Sequence, residues 1–177
     1  MKEIFWTHNR PWTIREIIAF LVVWIAVTSG LALLYRRKRI VMSQVIASEL
    51  LFCFLAIVLG STVFTRTPNG VYSYELLPFW SWREVFAGDM LILEEILLNM
   101  ILLVPAGALL PVVFHKKIMW YEAFIMGVGF STLIEVSQLL LYRGLFEWDD
   151  ILHNALGALV GCSVANLVLE RLIKPYR

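Results

Sequence analysis

Charge is scarce in this chain. Of 177 residues, 16% are Asp, Glu, Lys or Arg, while 60% are hydrophobic and the mean hydropathy is +0.76. Soluble domains carry about 25% charged and about 45–50% apolar residues, so both departures point towards lipid. A net charge of +1 offers no basic surface for a polyanion, and nucleic acid is not an expected partner. Cysteine is nearly absent. Cys53 and Cys162 both fall inside apolar runs and read as small buried residues rather than as a disulfide. Familiar catalytic signatures are missing too: the chain has no GxSxG, no HExxH, no P-loop and no CxxC. There is no internal repeat and no low-complexity tract. Apolar segments use up nearly all of the length, which leaves no room for a soluble catalytic domain.

Long hydrophobic runs are what the chain does have. A bilayer core of about 30 Å calls for about 20 apolar helical residues. Five stretches meet this, at 17–35, 40–64, 90–114, 120–142 and 151–172. The expected fold is therefore all-α, an integral membrane bundle of about five transmembrane helices. The first run is too long for a signal-peptide core and is followed by Arg36, Arg37, Lys38 and Arg39, so it reads as retained. Residues 1–59 form an N-terminal segment with two anchor helices. Residues 60–177 form a core whose three helices carry polar stripes.

Basic residues set the orientation. Arg36 to Arg39, Lys116 and Lys117, and Arg171, Lys174 and Arg177 fall on one side of a five-span chain. Lys2, Arg10, Arg15, Arg66, Arg83 and Arg143 fall on the other, spread over longer segments. The denser side is expected to be cytoplasmic, which puts the N-terminus outside and the C-terminus inside. On the outer side, residues 65–89 open with the turn residues Pro68, Asn69 and Gly70 and continue into an aromatic stretch around Phe79, Trp80 and Trp82. This loop either dips into the headgroups or covers a site.

Polarity inside the spans is patterned. Glu95 and Asn99 are four residues apart and share a helix face. Ser131, Glu135, Gln138 and Tyr142 make a second stripe, and Asp150, Asn154, Gly157 and Gly161 a third. Each lies in the outer half of its helix; Glu135 sits about 10 Å below Tyr142 at 1.5 Å per residue. A central acidic residue costs about 2.5–3.5 kcal/mol in the bilayer, so Glu135 must face the bundle or water with a partner. Arg143 is the nearest basic residue in sequence, and protonation is another way to lower the cost. Asparagine, glutamine and serine also join helices by hydrogen bonds, and Gly157 with Gly161 fits close helix packing. Glu135, Asp149 and Asp150 together exceed what such packing needs. His153 stands beside the two aspartates, but a single histidine without an HxxxH pair makes a weak metal set, and no metal or other cofactor is expected. Glu94 suits the positive end of a helix. Glu49 stands alone in the second run, and His8 and His115 read as surface residues.

Three blocks together resemble the VanZ-like membrane proteins of bacteria over roughly residues 60–165. They are Leu76-Leu77-Pro78-Phe79, the stretch Asn99 to Gly107 with Pro105, and the series Glu135, Gln138, Arg143, Asp149, Asp150, Asn154, Gly157 and Gly161. Glu75 and Glu147 stand where the family pattern has Asn and Asp. The resemblance implies a multi-pass protein of the bacterial cell membrane, in the cell envelope. It also implies a link to resistance against the glycopeptide teicoplanin.

Three functions remain open. In the first, Arg66, Asn99, Glu135, Gln138, Arg143, Asp149, Asp150 and Asn154 line an outward cavity. That cavity binds a membrane lipid or lipid-linked wall precursor, with Arg66 and Arg143 on its phosphate. In the second, Glu135 or Asp150 is the acid or base of an intramembrane enzyme. In the third, the stripes only hold helices together in a structural or assembly subunit. Self-association into a homo-oligomer is left open.

Overall fold

A computed structural model describes residues 10–172. Lys2, His8, Lys174 and Arg177 lie outside the described residues. Five helical segments are long and apolar enough to cross a membrane. The first, α1 (Ile14–Arg36), starts at Thr13, whose side chain accepts from the Glu16 N–H while Glu16 returns a bond to the Thr13 N–H. That reciprocal cap satisfies two of the donors a helix start leaves open. α1 has no buried residue and packs on α2 (Met42–Leu59). Glu49, left without a partner by the sequence, accepts from the Trp24 indole at 2.9 Å and the Thr28 hydroxyl at 2.7 Å. That shared carboxylate ties the two helices inside the apolar layer, where an unpaired one would be costly.

The second span continues beyond α2 as a π-helix (Gly60–Phe64). π-turns are uncommon and often lie at functional sites. Here Ser61 and Thr62 both donate their hydroxyls to the Val58 carbonyl, serving a carbonyl that a regular α-helix would bond through backbone. The third span is two helices, α4 (Met90–Leu102) and α5 (Val104–Phe114), broken at Leu103. Pro105 fits the break: it has no N–H to donate and sits in the first turn of α5, where that donor would be unmet in any case. α6 (Trp120–Leu140) and α7 (Trp148–Leu172) complete the bundle, and α7 packs on α4, α5 and α6.

The loop between the second and third spans is more structured than the sequence suggested. It forms a short strand β1 (Ser73–Glu75) and a helix α3 (Trp80–Ala87). β1 pairs in parallel with β2 (Leu145–Glu147), with Glu75 opposite Glu147. The two positions that depart from the VanZ-like pattern are therefore neighbours across this small sheet. Periodicity over three residues carries no signal, so only the tertiary fold reveals the pair.

The core sits around α7. Ala158 packs with Leu103 and Ala106; Cys162 with Leu110, Ile118 and Ala123. Both cysteines are free thiols, Cys162 buried and Cys53 half-buried. Gly157 and Gly161 press against α4 and α5: a Cβ at Gly157 would lie 1.8 Å from the Met100 carbonyl oxygen, and one at Gly161 2.0 Å from that of Val104.

Candidate functional site: a polar cavity among α4, α6 and α7

The acidic start of α7 splits into two faces. Successive residues turn about 100° around a helix, so Asp149 with His153 and Asp150 with Asn154 form two adjacent i, i+4 pairs that look in different directions. The first pair holds α3. Asp149 is buried and accepts from the Phe79 N–H at 2.7 Å, the Ser81 N–H at 3.1 Å and the Ser81 hydroxyl at 2.5 Å. These are donors at the start of α3, where Phe79 takes the left-handed conformation and has no side-chain cap of its own. His153 accepts from the Trp82 indole at 3.0 Å. A carboxylate and an imidazole on α7 thus latch the aromatic helix to the bundle.

The second pair faces a cavity of about 330 Å³. Asp150 accepts from the Asn99 side-chain amide at 2.5 Å, which joins α7 to α4. Asn154 donates to the Ser131 hydroxyl of α6 at 2.8 Å, and Ser131 in turn reaches the Asp150 carbonyl at 3.4 Å. The Asn154 carbonyl oxygen is buried and has no donor. Glu135, on α6, accepts from the Glu147 N–H at 3.1 Å. Gln138, one turn further on, donates to the Thr62 carbonyl of the π-helix at 3.2 Å. Arg66, Glu95, Glu147 and Trp80 also belong to the polar part of the wall, and Ile92, Ile96, Leu102 and Ile134 to its apolar part.

Of the eight residues expected at the cavity, six line it: Arg66, Asn99, Glu135, Gln138, Asp150 and Asn154. Asp149 and Arg143 stand apart. Asp149 is spent on α3. Arg143 donates to the Val63 and Phe64 carbonyls at 3.3 and 2.6 Å, closing the exposed end of the π-helix, and it pairs with neither Glu135 nor the aspartates. Glu147, Thr62, Trp80 and Ser81 line the cavity without having been singled out for it. Glu147 left a trace in the sequence, two residues before Asp149; the other three come from the loop and the π-helix, whose placement no spacing rule gives. Among the described residues no group of three metal-binding side chains converges.

Glu147 lies outside the spans, and its environment raises its pKa. Burial, then the charge of Asp150, push its carboxyl up to about 7. Glu95 and Asp149 add smaller pushes. A carboxyl with a raised folded pKa holds its proton in the native state after the unfolded chain has lost it. Its contribution is intact below about 4.5 and is lost as pH rises towards about 7. Since Glu147 is part-exposed, screening reduces the effect to about 1 kcal/mol. Melting of the purified protein at pH 5 and pH 8 checks this. The wild type is expected to lose more stability over that window than Glu147→Gln, and equal losses would rule Glu147 out as a source.

The site is a polar cavity between the helices of a multi-pass membrane bundle, walled by three striped helices and roofed by an aromatic segment. The chain belongs to the VanZ/LLP1 family, whose model matches residues 17–169. No curated protein and no solved structure matches it.

Proposed function

We propose that this VanZ-like protein binds the polar headgroup of a membrane lipid or lipid-linked envelope component in the cavity among α4, α6 and α7. The observation that carries the reading is the buried Asn154 carbonyl oxygen, left without a donor beside Glu135 and Asp150 at one cavity. Polar groups that only joined helices would be satisfied by each other, because an unmet buried acceptor costs about 1–3 kcal/mol. The cavity volume falls at the lower end of the range for small-ligand sites, about 300–1,000 Å³. The basic-residue pattern supports an orientation in which the cavity opens towards the outer leaflet. In that position, occupancy by a wall precursor or its carrier lipid would alter susceptibility to a glycopeptide such as teicoplanin. The bacterial cell membrane is the proposed location.

The variants Glu135→Gln, Asp150→Asn and Asn154→Ala test the reading. The expected result is normal protein level in the membrane with teicoplanin susceptibility returned to that of cells lacking the protein. Loss of the protein itself in all three would favour a structural subunit. Retained lipid binding together with altered product lipids in cells would favour catalysis by Glu135 or Asp150. A reporter fused after Arg177 that reads extracytoplasmic would overturn the orientation.

A further inference from the structure

The chemistry of the wall restricts the ligand further, given the headgroup reading above. Acceptor atoms on Glu135, Asp150 and Asn154 are left without a donor among the described residues. Glu135 has one carboxylate oxygen on the Glu147 N–H and a second one open. Asp150 has one oxygen on Asn99 and a second one open. The Asn154 carbonyl oxygen is open and fully buried. Glu95 and Glu147 add two more carboxylates to the lining, and Arg66 is its single cationic side chain. Arg66 makes no ion pair or side-chain hydrogen bond among the described residues, so its guanidinium is available.

Open acceptors outnumber open donors on this wall, where the Trp80 indole N–H is a buried donor left without a partner. A bare phosphate brings acceptors and negative charge to a lining that holds Glu95, Glu135, Glu147 and Asp150 and only one cation, Arg66. A primary ammonium brings three N–H donors, one positive charge and no acceptor. It would also offset the cost of keeping carboxylates inside the apolar layer. Arg66 suits a phosphate next to that ammonium, since a guanidinium matches phosphate oxygens in geometry and charge. We propose that the occupant is a zwitterionic phospholipid headgroup with a primary ammonium, its ammonium held by Glu135, Asp150 and Asn154 and its phosphate by Arg66. The source is the surrounding bilayer, which delivers such headgroups laterally between helices.

The test uses the full chain in mild detergent, with phosphatidylethanolamine, phosphatidylcholine and phosphatidylglycerol of matched acyl chains added in turn. Bound lipid is counted by native mass spectrometry. Phosphatidylethanolamine is expected to bind about tenfold more tightly than either of the others, a difference one well-made charged contact supplies. Glu135→Gln is expected to erase that preference. Glu95→Lys, at an exposed position, is expected to weaken the ethanolamine lipid severalfold and strengthen the glycerol lipid; it carries the test if Glu135→Gln does not accumulate. Preference for phosphatidylglycerol would overturn the ammonium assignment while leaving a lipid site in place. Equal binding of the choline lipid, which has charge but no N–H, would overturn the hydrogen-bonding assignment. If no lipid binds above the level on an Asn154→Leu variant, the headgroup reading itself fails. Free phosphoethanolamine that binds as tightly as the lipid would overturn the bilayer as source.

Discussion

Replacing Asp149 with alanine is expected to release α3 from the bundle and lower stability by about 3–5 kcal/mol. The carboxylate accepts three hydrogen bonds in a buried setting, from the Phe79 and Ser81 amides and the Ser81 hydroxyl. Bonds to a charged group contribute about 1.5–3 kcal/mol each, and three on one carboxylate are not additive. Alanine removes every acceptor and leaves two amides at the start of α3 without a partner. Asparagine keeps one oxygen and should lose about half as much, by the same arithmetic. The consequence reaches the cavity, because Trp80 and Ser81 belong to its wall. The expected signature is a lower melting temperature, faster proteolysis within residues 70–89, and loss of ligand retention together. A variant that melts within about 0.5 kcal/mol of wild type, the range of an ordinary surface change, would show that α3 is held some other way.

Asp149 also shows what a sequence leaves open. The five spans were legible because about 20 consecutive apolar residues leave few alternatives to a membrane helix. The stripes were legible because positions three and four apart share a face, and Glu135, Gln138, Asn99, Asp150 and Asn154 do meet at one cavity. Two adjacent aspartates, however, look alike in a sequence. One residue of offset turns the side chain by about 100°, and what waits on each side is set by elements 50 to 70 residues away. Arg143 lies outside the cavity lining for a related reason. Its charge and its distance along the chain relate it to Glu135. What claims it is a pair of backbone carbonyls freed by the π-helix, which a sequence rich in Gly, Ser, Thr and Val does not announce. The break at Leu103 left a clearer mark, since Pro105 was in view within an apolar run.

The closest helix contact carries the other large effect. Gly157→Ala is expected to destabilise the protein by about 3 kcal/mol, the upper part of the usual range for overpacking. The added methyl carbon would lie 1.8 Å from the Met100 carbonyl oxygen and 2.9 Å from its carbon. Neither atom is the end of a flexible side chain, so the helices must separate. The same crowding recurs along the seam, at Gly161 against Val104 and at Gly107 against the Ala158 carbonyl, so α4, α5 and α7 resist the shift together. In lipid such backbone contact is a main source of helix association, because apolar side chains gain little by leaving acyl chains for each other. Gly30→Ala on α1 is the control: nothing lies within 4 Å of its added carbon, and alanine favours the helix by about 1 kcal/mol. Thermal melting of the two variants should therefore move in opposite directions. Gly157 lies in the seam, one turn beyond the cavity residue Asn154 on the same face. Separating α7 from α4 there would also lengthen the 2.5 Å bond between Asn99 and Asp150. Gly157→Ala is thus expected to lose headgroup binding even where it still folds. Retained binding at wild-type strength would mean that the cavity does not depend on the tight seam beneath it.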